Sequence, residues 1–251
     1  MTSTDLPGDR PFVLLATRAE NQPADEEYAL FLRFTGLPPE RLLRVRLERD
    51  PMPEFDLDEV SGILVGGSPF NASDPIERKS AVQQRVEAEM AALVDEVVAR
   101  DLPFLGACYG VGTLGTHLAA PIDGTFAEPI SVVDVSLTPA GRADPLAEGL
   151  PATFPAFVGH KEAIRSLPPA ATLLASSPTC PVQMFRVKQN VYATQFHPEL
   201  DLDGIVTRIH AYASYGYFAA DELGLTLAAV RRAPVTFPSR MLRTFVERYA
   251  R

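Results

Sequence analysis

Pro103-Phe104-Leu105-Gly106-Ala107-Cys108-Tyr109-Gly110-Val111-Gly112-Thr113-Leu114-Gly115 is the stretch on which the fold turns. Residues 103–107 are an apolar run too short for a buried helix, and they read as a buried strand. Residues 109–119 are small and apolar and read as a helix. Between them stands a cysteine flanked by glycines, in the form G-x-C-x-G. A strand that bends sharply into a helix, with a nucleophilic residue at the bend, has the form of a nucleophile elbow, here with cysteine in the place of serine. The bend demands strained backbone angles and close approach, which larger side chains would obstruct. It also sets the sulfur at a helix N-terminus, where the partial positive charge is expected to lower the thiol pKa and favour thiolate.

Outward from the elbow, the N-terminal side continues the pattern. Residues 12–16 and 62–65 are continuous apolar runs, and residues 42–47 alternate apolar with basic; all three read as strands. Residues 26–35 read as a helix ended by Gly36 and Pro38. Residues 79–100 read as an amphipathic helix with Val82, Val86, Met90, Leu93, Val94 and Val97 on one face. Strands alternating with helices in this way predict a parallel sheet covered on both faces. After Pro121 the texture changes: residues 130–137, 171–175, 182–187 and 191–195 read as strands joined by short turns, and residues 202–219 and 238–249 as helices. The expected fold is α/β, a mostly parallel central sheet with helices on both faces and a small antiparallel extension. Residues 1–10 read as a disordered tail, residues 11–251 as one domain, with a C-terminal helical extension from about residue 225.

Composition narrows the function classes. The chain has 251 residues, 46% hydrophobic and 22% charged, which is ordinary for a globular protein and excludes a collagen, a coiled coil or a disordered tail protein. Lys and Arg number 23 against 32 Asp and Glu, so the net charge of −9 argues against nucleic acid or an anionic lipid surface as a partner. No apolar run approaches a bilayer span, and no signal peptide is readable at the start. Two cysteines exclude a disulfide scaffold and suit a reducing compartment, so the expected location is cytoplasmic.

Two further stretches carry chemistry. In Tyr192-Ala193-Thr194-Gln195-Phe196-His197-Pro198-Glu199 a strand ends in His-Pro-Glu. A thiol nucleophile needs an imidazole to accept and return its proton, and the imidazole needs an orienting carboxylate. In Gly66-Gly67-Ser68-Pro69 a strand ends in a turn whose backbone N–H groups can bind a developing oxyanion. Gly110-Val111-Gly112-Thr113-Leu114-Gly115 also matches the dinucleotide-binding pattern G-x-G-x-x-G, with Asp134 as its acidic partner. Three strands precede it and the Cys-Tyr pair interrupts the turn, so packing of small residues against the sheet is the preferred account. The four histidines and two cysteines show no metal-ligand spacing, and no metal is expected. His160 reads as a surface histidine in a loop, Cys180 as structural, and the arginines around residues 240–251 as the solvated face of a docked helix.

Taken together, the glycine-glycine turn, the cysteine elbow and the strand ending in Gln195-Phe196-His197-Pro198-Glu199, spaced roughly 40 and 90 residues apart, resemble the triad-type (class I) glutamine amidotransferases. Gly159-His160-Lys161-Glu162, Leu173-Leu174-Ala175-Ser176 and Cys180-Pro181-Val182-Gln183 resemble the stand-alone members related to the amidotransferase domain of GMP synthase. The resemblance implies a flavodoxin-like sheet and hydrolysis of glutamine to glutamate and ammonia. It implies that Cys108 forms a γ-glutamyl thioester, that His197 carries the proton and that Glu199 orients His197. It further implies that the N–H groups of Gly67 and Tyr109 hold the oxyanion, and that Gly66, Gly112, Gln195 and Phe196 bind substrate. No cofactor is implied; a separate synthetase subunit would receive the ammonia. The family usually places a glutamine four positions after the nucleophile, and here that position is Gly112. That departure keeps two alternatives open: a peptidase of glutathione-like γ-glutamyl compounds, and a non-catalytic binding or regulatory subunit of the same fold.

Overall fold

The structure, a computed structural model, describes residues 8–212 and 220–251. Its strands are β1 (Phe12–Ala16), β2 (Leu42–Arg46), β3 (Gly62–Val65), β4 (Phe104–Ala107), β5 (Ile122–Asp123), β6 (Glu128–Leu137), β7 (Thr153–His160), β8 (Ala163–Ile164), β9 (Ala171–Ser176), β10 (Met184–Val187) and β11 (Val191–Thr194). Its helices are α1 (Asn21–Thr35), α2 (Ala81–Arg100), α3 (Tyr109–His117), α4 (Pro139–Ala143), α5 (Leu202–Ala211), α6 (Leu223–Arg232) and α7 (Arg240–Tyr249).

Nine strands form one sheet in the order β2-β1-β3-β4-β11-β10-β9-β6-β7. The first five run parallel. The remaining four attach antiparallel, and β5 pairs with β8 in a separate ribbon. This is the mostly parallel α/β sheet that the sequence predicts, with the strand order of flavodoxin-like folds at its centre.

The inner strands β1, β3 and β4 are apolar along their whole length because both faces are covered, whereas β2, at the edge of the sheet, carries Arg44 and Arg46. Phe12, Leu14, Leu64 and Leu105 face one side, under Phe31 of α1 and Met241, Leu242 and Phe245 of α7. Val13, Leu15, Ile63 and Phe104 face the other, under Val86, Met90 and Val94 of α2 and Leu114 of α3. A third cluster joins Ile205 and Ile209 of α5 and Val230 of α6 to Ile130 and Phe157.

Several boundaries differ from the sequence reading for physical reasons. α1 begins at Asn21 rather than residue 26. It absorbs Pro23 in its first turn, where a missing N–H costs nothing. Val82 is exposed at the start of α2, and Gln83 is buried in its place, donating to Asn71 O and Glu87 Oε1. The sequence pattern does not predict β7: Pro155 and Gly159 lie within it, but it is the edge of the sheet, where a proline removes no ladder bond. α5 stops at Ala211, and the rest of the helix expected to residue 219 falls outside the described residues after Tyr212. The expected tail lies outside them over residues 1–7, but Arg10 N donates to Arg251 O at 2.8 Å.

α7 is docked as the sequence reading prefers, its apolar face buried and Phe245 tilted against Phe12 and Tyr249. Phe245→Ala should cost about 3–5 kcal/mol through lost burial and the cavity left behind. Chemical denaturation checks this; a loss under about 1 kcal/mol would mean that α7 contributes little to the core.

Candidate active site

The site lies at the carboxyl ends of β1, β3, β4 and β11, where open α/β sheets bind ligands. Cys108 follows β4 with φ 53° and ψ −76°, a left-handed φ that a non-glycine residue holds only when its surroundings fix it. The fixing bonds are visible. Cys108 N donates to Thr194 O at 2.7 Å, and Cys108 O accepts from Val111 N at 3.0 Å. Of the two flanking glycines, Gly106 is required, since a Cβ on it would lie 2.5 Å from Gly110 Cα, whereas a Cβ on Gly110 would meet nothing within 4 Å. The other glycines of the G-x-G-x-x-G stretch also serve packing, Gly115 against Ile122 and Ile164. Asp134 sits on β6, four places from β4 in the sheet, too far to serve a dinucleotide fingerprint at α3.

β11 pairs directly with β4, and the chain leaving it carries His197 and Glu199 to the elbow. His197 Nδ1 lies 2.7 Å from Glu199 Oε1. His197 N donates to Phe157 O at 2.9 Å, which ties this segment to β7. Cys108, Ser68 and His197 line one small cavity of about 20 Å³, with Arg18, Arg208 and Tyr212 around it. A second cavity of similar size opens on the other side of Cys108, lined by Asn71, Gly112, His160, Glu162 and Gln195.

Of the residues assigned to substrate, Gln195 and Gly112 line the second cavity. Gln195 Nε2 points at Cys108 Sγ at 3.9 Å, and its buried Oε1 has no partner among the described residues. Gly112 is covered closely: a Cβ there would meet Glu162 Oε1 at 3.0 Å and Ala72 Cβ at 3.2 Å. The Glu162 carboxylate accepts from Ala72 N and Ser73 N, both at 2.7 Å, strapping the loop after β3 over α3. Phe196 is a correction. Its ring is in the core, edge-on to Phe154 at 5.8 Å, and lines neither cavity. Gly66 lines neither as well, and its N–H is spent on Leu15 O.

The glycine-glycine turn has a reason that sequence reading misses. A Cβ on Gly66 would run into the Glu27 carboxylate, and one on Gly67 would lie 2.5 Å from Arg18 Nη2 and 2.8 Å from His197 Cε1. Beneath the turn runs a buried chain of alternating charges. Arg18 Nε donates to Glu27 Oε1 at 2.9 Å, and Arg208 Nη2 donates to Glu27 Oε1 at 2.7 Å and Glu199 Oε1 at 3.0 Å. The available signal is Arg18 itself, an arginine close behind a fully buried strand.

His160 is also a correction: it is buried at the end of β7, not on the surface. Its Nε2 lies 2.7 Å from Glu128 Oε2, which also accepts from Gln183 Nε2 at 2.8 Å, and its Nδ1 lies 2.9 Å from Glu162 O. Glu128, His160 and Cys180 bring ligand-type atoms within 4.8 Å of one another. Those of Glu128 and His160 are engaged in this network, and Cys180 Sγ faces Val182 O at 3.6 Å. The cluster therefore reads as a hydrogen-bonded lock between β6, β7 and the chain before β10.

Protonation departs from the sequence expectation. Cys108 keeps an opening to solvent, yet the atoms packed around its sulfur push the thiol up to about 12. Arg18 and Arg208 pull the other way without winning. The pull of a helix N-terminus is smaller than the cost of desolvating a thiolate. Burial also pushes His197 below its ordinary value, against the raising effect of Glu199. Burial would raise Glu199, but His197 and Arg208 beside it hold its carboxyl well below the usual carboxylate range.

Fold and site together define an α/β protein with a cysteine elbow facing a histidine–carboxylate pair. The model of the family "Glutamine amidotransferase class-I" matches residues 41–208, and the chain belongs to this family. Among its relatives is a glutamine-hydrolyzing GMP synthase component of Thermoplasma acidophilum, itself one subunit of that enzyme, 28% identical over 147 residues, 58% of this chain and 66% of that protein. The glutamine-hydrolyzing GMP synthase of Neisseria meningitidis is 22% identical over 151 residues, 60% of this chain and 26% of that enzyme. The chain thus spans just under two thirds of the first of these relatives and about a quarter of the second. A solved glutamine amidotransferase from Thermotoga maritima has the same fold, with a TM-score of 0.76 at 21% identity, covering 97% of this chain and 99% of that one.

A thiol pushed up by burial reacts slowly at neutral pH, because only the thiolate is nucleophilic. Alkylation of Cys108 by iodoacetamide should be slower than that of a model thiol at pH 7. It should still be climbing, about tenfold per pH unit, where the model thiol has levelled off. Mass spectrometry of the labelled peptide against pH checks this; a plateau at or below the model thiol's own would contradict it.

Proposed function

We propose that this chain hydrolyses the side-chain amide of glutamine, with Cys108 as nucleophile, His197 as proton carrier and Glu199 as its orienting carboxylate. The observation that carries the reading is the meeting of the strained Cys108 elbow and the His197–Glu199 pair at one cavity. The Cys108 thiol gives its proton to the imidazole Nε2 as the sulfur attacks the amide carbon. The tetrahedral oxyanion is held by the N–H groups of Gly67 and Tyr109. Collapse breaks the C–N bond, the imidazolium gives the proton to the departing nitrogen, and ammonia leaves. A water deprotonated by His197 then attacks the γ-glutamyl thioester, releasing glutamate and restoring the thiol. The reaction is complete without a metal or organic cofactor.

Gln195, whose Nε2 lies 3.9 Å from Cys108 Sγ and which lines the second cavity, would contact the substrate there. The ammonia would pass to a separate synthetase chain. Support for that partner comes from the relatives, one of which is by name a single subunit of a glutamine-hydrolyzing synthase.

A second reading, cleavage of γ-glutamyl peptides, is favoured by one observation. At Gly112 there is no side chain; the Glu162 carboxylate lies over the position, and a cavity of about 250 Å³ between α2 and α3 begins beside Gly112 and Tyr109. That space would suit a leaving group larger than ammonia.

Glutamate release from glutamine, glutathione and γ-glutamyl dipeptides tests both. Glutamine should yield glutamate and ammonia, and Cys108→Ala should lower the rate by at least about 10³-fold while the circular dichroism stays unchanged. Turnover retained in that variant would overturn the mechanism. Cleavage of the peptides alone, lost in Gly112→Gln, would replace the first reading by the second. A folded chain that is silent on the whole panel would favour the non-catalytic subunit.

A further inference from the structure

Arg208 is not one of the three proposed catalytic residues, yet it touches two of them. Its Nη1 lies 3.0 Å from His197 Nδ1, and its Nη2 donates to Glu199 Oε1 at 3.0 Å. All three side chains are buried, as are Arg18 and Glu27 behind them. A His–carboxylate pair alone favours the imidazolium, because the carboxylate stabilises the positive ring. Here a guanidinium stands at the same ring nitrogen and shares the same carboxylate oxygen. With the Nδ1 proton given to Glu199 at 2.7 Å, Arg208 has no lone pair to meet at that atom, and its charge bears on the ring as a like charge.

We propose that Arg208 is a positioning residue that holds His197 in its uncharged form, so that Nε2 is free to take a proton. The inference rests on the reading of His197 as the proton carrier. The groups facing the imidazole are few: Glu199 on its own segment, Arg208 and Tyr212 from α5 and its end, Arg18 from the loop after β1, and Cys108 at the start of α3. Glu27 of α1 stands behind both arginines and offsets part of their charge. β7 presents only Val158 and Gly159 to this cavity. Arg208 and Arg18 both oppose protonation of His197, adding to burial, which is the larger effect.

Because Glu27 and Arg208 have opposite charges, their removal should move His197 in opposite directions. Removing Arg208 takes away a cation and lets Glu199 act on the ring alone, so the imidazole should protonate at higher pH. Removing the charge of Glu27 leaves the two arginines less offset, so it should protonate at lower pH. Loosened packing would not give opposite signs.

The test is an NMR pH titration of the folded, 15N-histidine-labelled chain, with His197 assigned by its loss in His197→Gln. Arg208→Met should raise the His197 pKa by about one unit or more, a tenfold change in proton affinity. Arg18→Met should raise it by less, and Glu27→Gln should lower it. An unchanged value in Arg208→Met, or a Glu27→Gln shift in the same direction as Arg208→Met, overturns the proposal. If Arg208→Met fails to fold, the opposed signs of Arg18→Met and Glu27→Gln decide alone, and like signs or no shift overturn it. The acidic limb of kcat/KM on glutamine should move with the NMR value. If the NMR value moves and the limb does not, Arg208 has the role stated here, and what fails is the assignment of His197 as proton carrier.

Discussion

The pairing of β4 with β11 is the constraint on which the site depends. Phe104 to Ala107 lie in parallel register with Val191 to Thr194, and the bond from Cys108 N to Thr194 O continues the ladder one step past the strand. That last rung holds the elbow in its left-handed conformation and sets the distance from the sulfur to the chain carrying His197. Bringing together residues so far apart in sequence costs closure entropy, but the cost grows only slowly with the length of the intervening chain. Here that chain builds its own structure: β6, β7, β9 and β10 extend the sheet, and β10 delivers β11 antiparallel into its place beside β4. The antiparallel half is thus the device that positions His197.

A second constraint lies beneath the first. Arg18, Glu27, Arg208 and Glu199 alternate in charge and are all buried, and each ion removed from water costs several kcal/mol before its partners repay it. Such a ladder adds little net stability, so its effect is better sought in geometry and protonation. It demands space as well. Gly66 and Gly67 have no side chains because the Glu27 carboxylate, the Arg18 guanidinium and the His197 ring occupy that volume. One pair of glycines therefore clears room for the charge ladder and for the imidazole, and leaves the turn's backbone facing the elbow.

These two constraints explain what is legible in the sequence. β1, β3 and β4 are continuous apolar runs because both faces are covered, and such runs can be read without knowledge of their neighbours. The elbow and His-Pro-Glu are local patterns, each contained in a strand end. The ladder is not local: Arg208 and Glu27 are 181 residues apart and meet only through the packing of α5 on α1. Pro155 and Gly159 obscure β7, since tolerance of a proline depends on being an edge strand, a property of the assembled sheet. Phe196 is misplaced by sequence reading because every residue of β11 is buried, so alternation does not tell which face the next side chain takes. The thiol is misjudged because a helix N-terminus is visible in sequence, whereas the atoms packed around a sulfur are not.

The protonation pattern gives the site its logic. Burial pushes the Cys108 thiol up and His197 down, so both rest uncharged rather than as a thiolate–imidazolium pair. A buried ion pair standing ready would need compensation by fixed dipoles even when no substrate is present. In the proposed reaction, with both groups neutral, charge would separate only as the sulfur attacks, when the oxyanion would form beside backbone N–H groups able to receive it. The cavities flanking the sulfur are each about 20 Å³, so little water competes for that charge. A neutral thiol is also a poor target for adventitious alkylation and oxidation, whose rates follow thiolate content. Arg18 and Arg208, which lower the thiol pKa, are then better understood from the other side. They do not make Cys108 acidic, because burial outweighs them; they oppose protonation of the imidazole, the group that the proposed mechanism needs as a free base.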